Sequence, residues 1–151
     1  MRRRLTAALV GTLVAGAAAA APAHAKDGST RFGDNTVSIG AVAYAPKWAI
    51  TVDVTYSCEP PQSKGWEPHL GVVWRLADKR DSNVRSPRGG AQVNFPQLTC
   101  DKKPHTVKVN APAGWPEDSL PFGKGDPVQV TALLSPPEGA PLAEIVKVST
   151  L

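Results

Sequence analysis

The chain has 151 residues, of which 42% are apolar and 20% charged, and its formal net charge is +4 at pH 7. Three of its 17 basic residues are Arg2, Arg3 and Arg4, and without them 14 basic residues face 13 acidic ones. A nucleic-acid-binding domain needs a clear basic excess, so this balance argues against that class. The 15 prolines argue against a mainly helical protein, because proline inside a helix costs about 3 kcal/mol.

Residues 1–25 have the three-part pattern of a secretory signal peptide. The arginines at positions 2–4 precede an apolar run at 5–21, and Ala23-His24-Ala25 gives a small-x-small cleavage pattern. The apolar run is near the lower limit for a transmembrane span, but it ends at Pro22 with no basic stop-transfer cluster. We expect cleavage after Ala25 and an extracellular mature chain, with the general secretory and twin-arginine routes both open.

The mature chain begins with a polar segment, residues 26–34, that predicts a flexible N-terminal arm. A first strand is predicted at residues 36–42, followed by a turn at Ala45-Pro46-Lys47. A second strand is predicted at residues 48–58, where every second residue from Ile50 to Cys58 is apolar. This alternation is typical of a strand that buries one face.

Residues 59–68 contain three prolines and predict a loop. The third strand, residues 69–77, places Trp74 on its apolar face, while Val73 and Arg75 share the other. Residues 78–90, "DKRDSNVRSPRGG", predict a charged loop that ends in two glycines.

The remaining strands are predicted at 91–100, 105–110, 127–134 and 142–150, with a tight connection at 101–104. Seven short strands separated by turn signals are typical of an antiparallel sandwich. The sequence therefore predicts an all-β fold, an immunoglobulin-like β-sandwich of about seven strands, over residues 35–151.

The two cysteines, Cys58 and Cys100, are each predicted to end a strand on its apolar face. Two thiols in one small exported domain favour a disulfide, which would place Trp74 near the bridge as in immunoglobulin domains. The alternative is a metal site with His69 and His105 as further ligands, but these spacings differ from those of structural zinc sites. No C-x-x-C redox motif is present.

The mature chain contains no recognised nucleophile, zinc-protease or phosphate-loop motif. Its carboxylates are scattered and lie mostly in predicted turns, where they commonly cap or solvate the backbone. We expect no catalytic residue, no metal and no cofactor. A hydrolase or small-ligand carrier would need a pocket lined by His69 or His105.

Two features suggest a binding surface. The 75–88 segment has a local charge of +3, from which Arg80, Arg85 and Arg88 are candidate partner-binding residues. Trp66 and Trp115 lie in predicted loops and are candidate exposed aromatic contacts. The alternatives are a solvated hairpin tip and tryptophans buried against loop prolines.

The motifs "YSC" at 56–58 and "LTCDKKPHTVKV" at 98–109, with Trp74 between them, resemble those of small secreted domains from high-GC Gram-positive, actinobacterial species. This uncharacterised family pairs an early Tyr-x-Cys strand with a later cysteine just before a His-x-x-x-Val strand. The resemblance implies an immunoglobulin-like sandwich and no catalytic residue. The cysteines are closer than in antibody domains, and no tyrosine-corner motif precedes Cys100.

The leading hypothesis is a secreted, non-enzymatic and monomeric binding module for an extracellular protein or a cell-wall polymer, with no nucleic-acid ligand and no membrane association after cleavage. Binding would use loops at one end of the sandwich. The second hypothesis is an inhibitor of a secreted trypsin- or subtilisin-like protease, which would present Arg85 or Arg88 from the 78–90 loop.

Overall fold

The computed structural model describes residues 29–31, 33–77, 88–94, 96–114 and 121–151. The predicted signal peptide lies outside the described residues. Within them the chain is all-β, with two antiparallel sheets and no helix, which confirms the predicted all-β antiparallel sandwich. Among the same residues, no helix is long and apolar enough to cross a membrane.

One sheet has five strands in the order β1-β8-β7-β4-β5, and the other has three in the order β2-β3-β6. The five-stranded sheet comprises β1 (Ser29–Arg31), β4 (His69–Leu76), β5 (Arg88–Val93), β7 (Pro127–Ser135) and β8 (Ala143–Thr150). The three-stranded sheet comprises β2 (Thr36–Ala45), β3 (Ala49–Ser57) and β6 (His105–Pro112). The short β1 lies inside the segment predicted as a flexible arm, and it pairs with β8.

The core lies between the two sheets, because the central strands alternate buried and exposed residues. In β7 every second residue from Val128 to Leu134 is buried, and β4 buries Leu70, Val72, Trp74 and Leu76 in the same way. Ile50, Val52 and Val54 of β3 face them from the other sheet. The period-2 patterns that predicted strands therefore also define which face is buried.

The two sheets also meet at their edges. At one edge, Gly89 of β5 forms an isolated antiparallel bridge with Ala113, and the Gly114 N–H donates to the Arg88 carbonyl oxygen at 2.9 Å. At the other, the Lys147 ammonium donates to the carbonyl oxygens of Ile39 and Gly40 at 3.2 and 2.7 Å. These carbonyls lie at the start of the β-bulge that shifts the register of β2.

The strand predicted at 91–100 is wrong in its C-terminal part, since β5 begins at Arg88 and ends at Val93. A turn follows, in which the amides of Gln97 and Leu98 both donate to the Asn94 carbonyl oxygen. Pro96 lies in this turn and has no N–H with which to extend a ladder. The predicted tight connection at 101–104 is also wrong, because β5 ends at Val93 and β6 begins at His105 in the other sheet, so the connection between them is longer.

The Cys58–Cys100 disulfide is confirmed, with a sulfur–sulfur distance of 1.95 Å. Cys100 does not end a strand as predicted, but lies in the crossing segment that leads into β6. The disulfide therefore fastens this segment to the end of β3, beside the hydrogen bond from the Lys102 amide to the Cys58 carbonyl oxygen at 2.9 Å. The phenol of Tyr56 accepts a further bond at 3.1 Å from the Thr99 amide.

Trp74 is a core residue as predicted, but its expected position near the disulfide is wrong. Its indole N–H donates to the Ala111 carbonyl oxygen at 3.0 Å, and its ring packs on Phe122 with centroids 4.9 Å apart. Ala111 pairs with Ile50, which is eight residues from Cys58. At 3.3 Å per residue, that is about 26 Å along the chain, so Trp74 and the disulfide occupy opposite ends of the sandwich.

Candidate ligand-binding face

The solvent side of the five-stranded sheet carries a group of residues that we call the arginine face. It consists of outward-facing residues from three adjacent strands, namely Val73 and Arg75 of β4, Arg88 and Gly90 of β5, and Gln129 and Thr131 of β7. These positions alternate with the buried ones, so the pattern that builds the core also fixes this set on the solvent side.

Arg75 and Arg88 are direct cross-strand partners in the register of β4 and β5. Like charges opposite one another in an antiparallel pair are destabilising. The Arg75 Nε–H donates to the Gln129 Oε1 at 2.7 Å, which orients its guanidinium over the sheet. In the part of the chain that the structure describes, no carboxylate pairs with either arginine.

Val73 forms the apolar part of the arginine face. It is 52% exposed, the largest value among the large hydrophobic residues that the structure describes, and Val148 of the same sheet follows at 48%. Its cross-strand partner in β5 is Gly90, which has no side chain to cover it. A β-branched residue left open beside two cations forms a mixed apolar and basic surface, which is typical of protein interfaces.

Two hollows open beside Val73 and Arg88. The larger has a volume of about 420 Å³ and is lined in addition by Gly89, Gly90 and residues 112–114. The smaller, of about 230 Å³, lies over β7 and is lined in addition by Arg75, Gln129 and Thr131. The double glycine, which predicted the end of a loop, instead belongs to β5 and leaves the larger hollow open.

The structure separates the predicted binding residues. Arg88 lies in the arginine face. Trp66 is half-buried in the β3–β4 connection, which leads into the N-terminal end of β4, whereas Arg75 lies near its C-terminal end. His69 begins β4 six residues before Arg75, a distance of about 20 Å along the strand. Trp66 and Arg88 therefore do not form one site. Arg80, Arg85 and Trp115 lie outside the described residues.

The two histidines lie in different sheets. In β4, His69 is one of the alternate residues that face solvent. In β6 of the other sheet, His105 is one of the alternate residues that face the core. Neither lines the two hollows described above. These two hollows therefore do not provide the histidine-lined pocket that a hydrolase or carrier would need.

His105 instead holds the turn beside the disulfide. Its Nε2 lies 2.7 Å from the Asp101 Oδ1, and since an ionised carboxylate can only accept, the imidazole N–H is the donor. This hydrogen bond, with a second from the Lys103 amide, lowers the pKa of Asp101 below its usual value of 3.8. The His105 ring also packs on Tyr56, with centroids 5.9 Å apart.

The alternative of a metal site at the cysteines is wrong, because both sulfurs form the disulfide. Elsewhere in the described ranges, no three His, Cys, Asp or Glu side chains are grouped so that they could hold a metal ion.

The arginine face offers a ligand hydrogen-bond donors, positive charge and one apolar contact.

The alternation of β4 predicts Val73 and Arg75 on the outer face of the strand, but it does not mark them as binding residues. The available signal was a valine on the solvent side of an otherwise alternating strand. Gln129 and Thr131 were not singled out, because their contribution depends on β4 and β7 being neighbours, a pairing between residues more than 50 positions apart.

Comparison of the chain with protein-family models, with curated proteins and with solved structures found no match.

Proposed function

We propose that the chain is a secreted, non-enzymatic binding module that recognises an extracellular partner through the arginine face. The observation that carries the proposal is the in-register Arg75–Arg88 pair beside the exposed Val73. An ordinary solvated face has no physical reason to place two cations opposite each other next to an open valine. A bound ligand that supplies negative charge and covers the valine provides that reason.

Three further features support this proposal. The signal-peptide pattern and the disulfide fit an extracellular protein. The resemblance to small secreted actinobacterial domains has the same implication. The arginine face lies on regular strands of a braced sandwich, and such strands hold binding groups more rigidly than loops do.

The protease-inhibitor hypothesis loses one of its two candidate residues. Arg88 is in β5 and pairs with Arg75, so its backbone is already held by the protein's own sheet. A substrate-like inhibitor must instead offer its reactive residue on a loop that the protease cleft can bind. Arg88 therefore fits a sheet surface, and Arg85 lies outside the described residues.

The proposal is tested by capture from culture medium and cell-envelope fractions on three immobilised proteins. These are the natural chain, the variant Val73→Glu, which places a carboxylate beside the arginines, and Asn110→Glu, which adds the same charge on the exposed side of β6. We expect the natural chain and Asn110→Glu to recover the same partner, and Val73→Glu to recover at least tenfold less. Equal recovery by all three proteins would remove the arginine face from the function.

A further inference from the structure

We infer that the ligand of the arginine face is an acidic protein segment in extended conformation. Its carboxylate lies between Arg75 and Arg88, and an apolar side chain two residues away packs on Val73. This inference rests on the proposed function and names the chemistry of the partner.

The negative charge of the ligand follows from the arginine pair. Both guanidinium groups are permanently charged, and each presents a planar set of donors that matches the two oxygens of a carboxylate. Gln129 accepts from the Nε–H of Arg75, and among the described residues no acceptor takes its terminal N–H groups, which we assign to the ligand. A carboxylate held by both arginines would replace their mutual repulsion with attraction.

The extended conformation follows from spacing. Arg75 and Val73 are two residues apart on one strand and point to the same side, so their Cα atoms are about 6.6 Å apart. Alternate side chains of an extended peptide have this same spacing. A segment with an acidic residue, any residue and then an apolar residue can therefore place both side chains in register with Arg75 and Val73.

The shape of the surface also fits a peptide chain. Gly90 lies opposite Val73, and Gly89 precedes it, so at these two positions β5 has no side chain that would fill the larger hollow. Thr131 of β7 borders Val73 on the other side. The larger hollow, of about 420 Å³ on the β5 side of Val73, is open enough for an apolar side chain to reach this valine.

The exposed valine distinguishes a protein from an anionic polymer. A phosphate-rich cell-wall polymer or a nucleic acid would use the arginines but gain little from an apolar side chain. A protein segment uses both, and arginine is enriched in protein interfaces. The observations therefore favour an acidic protein segment.

The test uses nine-residue peptides with blocked termini, so that the central pattern carries the only carboxylate. The probes contain Glu-Thr-Val, Gln-Thr-Val or Glu-Thr-Ser at the centre of an otherwise identical Ser/Gly sequence. Isothermal titration at low and physiological salt is expected to give at least tenfold tighter binding for Glu-Thr-Val than for Gln-Thr-Val. We expect Glu-Thr-Ser to bind a few-fold more weakly than Glu-Thr-Val.

The protein variants locate the binding. Arg75→Gln and Arg88→Gln should each weaken binding of the Glu-Thr-Val peptide about tenfold, and Arg88→Lys should give an intermediate loss because it keeps charge but not the planar fork. Lys108→Gln removes an exposed cation from the other sheet and should change the affinity less than twofold. Because the peptide comparison needs no protein variant, it holds even if a variant folds poorly.

Three results would overturn the inference. They are equal affinity for the Glu and Gln peptides, no measurable binding of any peptide, and tighter binding of a poly(glycerol phosphate) chain that displaces the peptide. Any of these combined with partner capture that is lost in Val73→Glu would leave the proposed function intact and refute only the acidic-segment ligand. If the Glu-Thr-Val peptide shows no preferential binding and Val73→Glu also captures the partner as well as the natural chain does, both the acidic-segment ligand and the proposed function are refuted.

Discussion

The two sheets of this sandwich present very different surfaces to solvent. On the three-stranded sheet, outward-facing residues of β3 and β6 form matched polar pairs. Asp53 and Lys108 are register partners with 3.5 Å between Oδ1 and Nζ, and the hydroxyls of Thr55 and Thr106 are 2.8 Å apart. On the five-stranded sheet, Arg75 faces a second arginine, and Val73 is open to solvent.

The two surfaces differ in whether their outward-facing side chains have favourable partners across the strands. Opposite-charge and hydroxyl pairs across a sheet stabilise it by about 0.2–1 kcal/mol each, and like charges have the opposite sign. The Asp53–Lys108 and Thr55–Thr106 pairs of the three-stranded sheet thus satisfy one another without a ligand. The arginine face gains a comparable balance only when a ligand supplies the missing charge and apolar contact.

The largest expected effect concerns the disulfide, which lies at the end of the sandwich far from Arg75. Replacing Cys58→Ser and Cys100→Ser together should lower the free energy of unfolding by about 4 kcal/mol, because the bridge spans a sequence separation of 42 residues. Chemical denaturation measures this loss. Binding by the fraction that remains folded should be unchanged, and a specific loss of affinity would contradict the separation of the two ends.

A substitution at Gly89 tests the close packing of β5 against residues 112 and 113, beside the arginine face. A Cβ at this position would collide with the Pro112 carbonyl oxygen and approach Trp74 Nε1 and Ala113 Cα to 2.7 and 2.8 Å. Gly89→Ala should therefore destabilise the protein by about 1–3 kcal/mol, as overpacking does. Gly123→Ala is the matched control, since no atom lies within 4 Å of its Cβ position, and its unfolding midpoint should stay near that of the natural chain.

A smaller effect compares one cation from each surface. Arg88→Gln should raise the free energy of unfolding by about 0.2–1 kcal/mol because it removes a like-charge pair. Lys108→Gln should lower it by a similar or smaller amount because it removes an exposed ion pair with Asp53. Urea denaturation at low salt measures both, and the two differences should shrink in high salt. The same sign for both variants would erase the contrast between the surfaces.

The smallest effect is a change in stability at low pH that depends on Asp101. Since the His105 hydrogen bond lowers the pKa of Asp101 below 3.8 in the folded protein, this group stabilises the fold above that pH, and the contribution is lost as the pH falls through the folded value. Asp101→Asn should remove this pH dependence, so that the variant and the natural chain converge in stability at low pH. Carboxyl NMR titration together with denaturation at several pH values checks the result. If the free energies of unfolding of the two proteins differ by the same amount at all pH values, ionisation of Asp101 is not the cause of the difference.

The sequence predicted well those features that depend on local alternation. The strands around Val52, Trp74 and Val130 follow directly from period-2 patterns, and the compartment argument predicted the disulfide correctly. The N-terminal start of β5 was missed because two glycines and a charged run are typical of loops. In the structure, Gly89 is required instead by the close approach of Pro112 and Ala113.

The candidate site was only partly accessible to the same reasoning. Arg88 was selected for its charge, but its role depends on the partner that the register gives it. The pairing of Arg75 with Arg88, and of Arg75 with Gln129, comes from strand order, which local sequence does not encode. The sequence groups Trp66 with Arg88 because both lie in predicted loops, although the strand direction places these two residues at opposite ends of β4.

The most direct test of the difference between the two surfaces is an NMR titration of the isotopically labelled protein with the Glu-Thr-Val peptide. We predict that amide shifts concentrate at residues 73–75, 88–90 and 129–131, while the outward-facing positions of β3 and β6 stay unchanged. Shifts centred on Asp53 and Lys108, or spread evenly over both sheets, would contradict the assignment of binding to the arginine face.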